Sequence, residues 1–144
     1  MTRNVLVTVT GYQNSPQSGE DTIEIMAPGS YYFKGGKHIL LYEEAMDETQ
    51  AMTKNLVKFT PGYLEVTKSG QVETHMLFME GQETLSHYAT QFGDIQMGFR
   101  TSDVVVYENE DSIQVCACYA MDVNCQFAAD CRLTIQIRSC GKQE

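Results

Sequence analysis

The chain has no tryptophan and only three prolines and three histidines. It also lacks any long apolar run. A membrane helix needs about 18 or more consecutive apolar residues, and no segment approaches that. A secretory leader needs an apolar stretch of about 7–15 residues, whereas Met1 to Thr10 alternates apolar and polar side chains. Basic residues are scarce as well: Lys and Arg total 10 against 19 Asp and Glu, a formal net charge of −9. A surface that negative repels phosphate backbones and anionic headgroups, so neither nucleic acid nor membrane is an expected partner. Gly-x-Ser-x-Gly, P-loop, dinucleotide and His-Glu-x-x-His patterns are all missing, and no cofactor is expected.

Cysteine is present but poorly placed for structural use. Five cysteines stand at 116, 118, 125, 131 and 140. An odd number crowded into the last third is a weak disulfide framework, so free thiols in a reducing cytoplasm are expected. Structural zinc sites usually take cysteines in close pairs on turns. Here Cys116 and Cys118 share one face of a strand and the expected pairing turns Cys131 to the other face, so no metal site is expected.

What the chain does have is punctuation. Gly35-Gly36, Pro61-Gly62, Ser69-Gly70, Gly81, Gly93 and Asn109-Glu110 each separate two alternating runs. Short strands at this spacing read as an all-β sandwich or barrel built of hairpins. The 144 residues, 42% of them hydrophobic, read as one domain covering 1–144. Strands are expected at 4–12, 20–34, 37–44, 53–60, 63–69, 71–80, 84–92, 94–101, 103–108, 112–122 and 127–138, ten or eleven in all. Residues 13–19 read as a polar loop, 45–52 as an acidic loop or helical turn, and Pro28-Gly29 as a bend in the second strand. If the last turn centres on Cys125, Tyr119 faces Cys131, Ala117 faces Leu133 and Val115 faces Ile135, which brings the apolar sets together.

Two segments, His38–Tyr42 and His75–Met79, are apolar on both faces. The outer face of each is then expected to be covered by a loop, a bent strand or a second subunit, which makes a homodimer one expectation.

The run Tyr31-Tyr32-Phe33-Lys34-Gly35-Gly36-Lys37-His38-Ile39-Leu40-Leu41-Tyr42-Glu43-Glu44 resembles the YwiB-like family of bacterial barrels of unknown function. So do Met76-Leu77-Phe78 before Gly81, Tyr88 and Thr90 before Gly93, Gly98-Phe99-Arg100-Thr101, and Leu133-Thr134-Ile135-Gln136-Ile137. The resemblance spans nearly the whole chain in order. It implies a calycin (lipocalin-like) fold, an antiparallel up-and-down β-barrel, and brings no catalytic residues with it. Two positions depart from the family pattern: Gln91 stands where proline is usual, and Lys68 where arginine is expected.

Candidate functional residues follow from the period of two along a strand. Tyr42 and Glu44 share a face; so do Met76 and Phe78, Met97 and Phe99, and Tyr119 and Met121. An inward Glu44 needs hydrogen-bonding partners to be tolerated. Small barrels are packed solid or hold one small ligand, and methionine suits both. The leading expectation is a non-catalytic, cytoplasmic barrel binding a small apolar or amphipathic molecule, with Tyr42, Glu44, Met76, Phe78, Tyr88, Met97, Phe99 and Tyr119 lining its interior. The alternatives are a filled barrel acting as a homodimer or adaptor, and an acid–base enzyme using Tyr42, Glu44 and Tyr88.

Overall fold

In the computed structural model, which describes residues 3–45, 52–70, 73–90 and 93–139, consecutive strands pair antiparallel and the last returns to the first. They are β1 (Asn4–Ser15), β2 (Gly19–Lys34), β3 (Lys37–Ala45), β4 (Met52–Thr60), β5 (Tyr63–Gly70), β6 (Thr74–Met79), β7 (Glu83–Thr90), β8 (Gly93–Glu108), β9 (Ser112–Val123) and β10 (Gln126–Ser139). Together they form a closed up-and-down barrel, as the turn rhythm and the family resemblance imply.

Three sequence expectations need correction. The polar loop at 13–19 is confined to residues 16–18, because β1 carries on to Ser15 against Gly19 of β2. The strands expected at 94–101 and 103–108 are one long β8 whose register shifts at Ser102 between Thr101 and Asp103, so a β-bulge replaces the turn. Nor is β2 interrupted at Pro28-Gly29: it pairs with β1 without a register shift from Gly19 to Ser30, Pro28 opposite Leu6 and Gly29 opposite Val5. What changes at Gly29 is the opposite edge. Residues 46–51 of the expected acidic loop, residues 71–72 and Gln91 lie outside the described residues.

Alternation sorts the side chains into an inner and an outer set. Val5 and Val7, Leu40 and Tyr42, Val57 and Phe59, Leu64 and Val66, Phe78, Phe99, Val115 and Ala117, and Ile135 and Ile137 form one buried cluster. Phe78 and Phe99 meet with ring centroids 4.8 Å apart, and Tyr119 lies 4.5 Å from Phe78 and 5.5 Å from Phe99. These rings pack on one another in the core. The final hairpin has the expected register, Tyr119 opposite Cys131 and Ala117 opposite Leu133. Its turn sits on Asn124 and Cys125, both at positive φ. Gly35 and Gly36, at φ 63° and 78°, form the primed turn that their sequence announces.

Two joints in the wall are weakly laddered. Between β6 and β7 the one laddered pair among the described residues is Thr74 with Tyr88; there Thr84 Oγ1 donates to Leu77 O and Ser86 Oγ to His75 O. Between β2 and β3 the ladder runs only from Gly29–Tyr42 to Lys34–Lys37. Residues 19–28 of β2 therefore have no ladder partner on that side among the described residues. Gly29 is closely approached from both sides: a Cβ there would lie 2.8 Å from Leu41 O of β3 and 2.9 Å from Val7 Cγ2 of β1.

Candidate functional site

Where the β2–β3 ladder stops, a lateral groove of about 530 Å³ opens, lined by Pro28, Gly29, Ser30, Leu41, Tyr42, Glu43, Met52, Lys54 and Asn55. Most of these belong to the outer set. Tyr42 and Asn55 belong to the inner one, which makes this a place where the outer surface reaches inward-facing side chains. Tyr42 and Asn55 stand opposite each other on β3 and β4. Leu41, expected to be covered by a partner or loop, is 40% exposed and forms an apolar wall of the groove.

Behind Asn55 lies a polar cluster inside the barrel. Asn55 Nδ2 donates to Glu44 Oε1 at 3.0 Å, and Lys68 Nζ donates to Asn55 Oδ1 at 2.6 Å and to the same Glu44 oxygen at 3.3 Å. The inward Glu44 thus has the partners that such a carboxylate requires. The Tyr42 hydroxyl is held well above its ordinary pKa, first by burial and then by the charge of Glu44. It stays a protonated phenol, poorly suited to act as a base. Thr53, on the same inner face as Asn55, is fully buried.

The other sequence candidates are distributed differently. Phe78 and Phe99 are core, with 0% and 1% exposure, and Tyr119 packs on both. Burial, and then neighbouring Cys131, raises the Tyr119 pKa. Met76 and Met97 are half-buried against that core. Tyr88 is half-buried on β7 opposite Thr74 and Ile95, and no hydrogen bond among the described residues links it to Tyr42 or Glu44. Of the eight, then, the groove and its polar cluster bring Tyr42 and Glu44 together, and the aromatic core brings Phe78, Phe99 and Tyr119 together. Sequence reasoning missed Asn55 and Lys68. Their signal was present: each is a polar residue on the apolar face of its strand, Asn55 among Thr53, Val57 and Phe59, and Lys68 after Leu64 and Val66.

Two further networks escaped the sequence reading. Buried His38 lies with Nδ1 2.7 Å from the Tyr31 hydroxyl and Nε2 3.1 Å from Glu108 Oε2, stacked on Phe59 at 4.8 Å. Burial lowers the His38 pKa, the Glu108 charge opposing it, so the neutral ring is favoured. On the outer face Glu65 accepts from the Tyr63 hydroxyl at 2.7 Å and lies 2.5 Å from His75 Nε2. His75 holds the Glu65 carboxyl below its ordinary range, while burial and Glu65 push Tyr63 up to about 12.

This arrangement sits on a known framework. Residues 7–135 match the family model described as "Domain of unknown function (DUF1934)". The chain belongs to this family. It is 29% identical over 104 residues to the "Uncharacterized beta-barrel protein YwiB" of Bacillus subtilis (strain 168), covering 72% of each chain. Its fold matches the crystal structure of the ywiB protein from Bacillus subtilis with a TM-score of 0.79 and 24% identity, over 98% of this chain and 96% of that one. Membership confirms the barrel and supplies no activity. Within this family of unknown function, Lys68, at a position where arginine was expected, is the cation of the inner cluster.

Proposed function

We propose that this protein is a non-catalytic, cytoplasmic barrel that binds a small apolar or amphipathic molecule in the lateral groove between β2, β3 and β4. One observation carries the reading: the ladder between β2 and β3 ends at Gly29–Tyr42, and the gap left there is lined by inner and outer residues alike. Ligand sites are commonly clefts of about 300–1,000 Å³ with mostly apolar walls and a few polar groups. The groove, at about 530 Å³, has Pro28, Leu41, Met52 and the Tyr42 ring for walls, with Asn55 at its inner side. Phe78, Phe99 and Tyr119 pack on one another inside the barrel, which favours the seam over the lumen as the place for a ligand.

The absence of tryptophan gives a clean test. Leu41→Trp places a single indole on the groove wall. Titration with N-phenyl-1-naphthylamine should then quench its emission saturably, at one dye per chain and in the micromolar range. A dye that fails to saturate, or saturates without quenching, removes the groove as the site.

A second reading, the filled barrel acting as a homodimer or adaptor, draws on the same aromatic core and on Ile23 and Met26, 64% and 62% exposed on the part of β2 that has no ladder with β3. Light scattering at micromolar concentration separates the two, because this reading requires a dimer or a captured partner and the first does not.

A further inference from the structure

In a chain of net charge −9, the seam is locally neutral. Glu43 and Lys54, which both line the groove, stand opposite each other across β3 and β4. Behind them Lys68 pairs with Glu44 at 3.3 Å, with Asn55 bridging the two. Each carboxylate there is matched by an ammonium. Beside this pair Thr53 has 0% exposure, and its hydroxyl finds no hydrogen-bond partner among the described residues. Buried hydroxyls are nearly always paired, so an orphan of this kind calls for an explanation. Thr53 itself does not line the groove, whose inner polar side chain is Asn55.

We propose that the molecule held at the seam carries an uncharged, hydrogen-bonding head (an alcohol, an amide or an aromatic amine) on an apolar body. This rests on the reading of the seam as a ligand site. The charge balance discriminates between heads. An anionic head would have to compete with Glu44 for Lys68, and a cationic head with Lys68 for Glu44; either exchange leaves one half-buried charge unmatched. A neutral head breaks no ion pair. It meets Asn55 at the inner side of the groove, while its body lies on Pro28, Leu41 and Met52.

N-Phenyl-1-naphthylamine and its 8-sulfonate (ANS) make a matched pair of probes, one neutral and one anionic. Wild type should bind the neutral dye at least tenfold more tightly. Glu44→Gln leaves the Lys68 ammonium unbalanced and should improve ANS binding about tenfold, with the neutral dye moving less than twofold. Lys68→Met should weaken ANS further. Equal or tighter ANS binding by wild type would overturn the proposal. So would an ANS-to-amine ratio that stays fixed in whichever of the two charge variants keeps the wild-type circular dichroism. If neither dye saturates on wild type, the ligand-site reading fails first and the head-group assignment falls with it. Saturation by both with no preference sinks the assignment alone.

Discussion

Gly29→Ala is the sharpest perturbation of the seam. The added methyl carbon would sit 2.8 Å from Leu41 O, 2.9 Å from Val7 Cγ2 and 3.3 Å from Tyr42 Cβ. The first of these is backbone, so the strain cannot be relieved by rotating a side chain; β2 must move away from β3 at the point where their ladder begins. Overpacking of this kind costs about 1–3 kcal/mol. For a domain near this size, each kcal/mol lowers Tm by about 3–4 °C, so a fall of about 3–12 °C is expected. Gly11→Ala is the matched control: it lies in β1, and a Cβ there meets nothing within 4 Å. Removing a glycine where the backbone tolerates alanine contributes about 0.4–1 kcal/mol through the unfolded chain. Differential scanning fluorimetry and urea unfolding followed by circular dichroism should therefore move the two variants in opposite directions. A Gly29→Ala protein as stable as wild type would refute the close approach of β2 and β3, and with it the geometry that makes the groove.

Thr53→Val should raise stability of the free protein by up to about 1 kcal/mol, since it removes a buried hydroxyl with no partner among the described residues; a clear loss in urea unfolding would mean that the hydroxyl is satisfied. Phe99→Ala should cost about 3–5 kcal/mol, because it removes the ring that touches both Phe78 and Tyr119; a cost under 1 kcal/mol in the same assay would contradict a filled barrel. His38 links stability to pH: its folded pKa lies below its ordinary value of 6.5, so the unfolded chain takes up the proton first. The contribution is full above about 6.5 and is lost as pH falls toward the folded pKa. Tm should drop between pH 7.5 and 5.5, and His38→Gln should flatten that slope even though it lowers Tm at pH 7.5. An unchanged slope in the variant would assign the pH dependence elsewhere.

The barrel was legible because its signals are local. The Gly35-Gly36 turn needs positive φ, and the β9–β10 register follows from matching Ala117 to Leu133 and Val115 to Ile135. Ser102 misled because a bulge and a turn both break alternation, and only the continued pairing of Asp103 with Cys118 distinguishes them. The site was half legible. Tyr42 and Glu44 share a face by the period of two, but their partners come from β4 and β5, and no local pattern states which strand lies opposite which. Glu108 reaches His38 from a strand seventy residues further on, and nothing near either residue announces the contact. The seam itself is a ladder that stops early. Its one trace in the sequence is Pro28-Gly29, which reads as an interruption, whereas β2 continues through it in register with β1.

The most direct test of the central claim is an amide chemical-shift map of the wild-type barrel titrated with N-phenyl-1-naphthylamine. Saturable shifts should centre on residues 29–30, 41–43 and 52–55, leaving the opposite wall around Val104 and Ile113 still. Shifts centred away from the β2–β3 seam, or spread over the surface without saturating, would contradict the account.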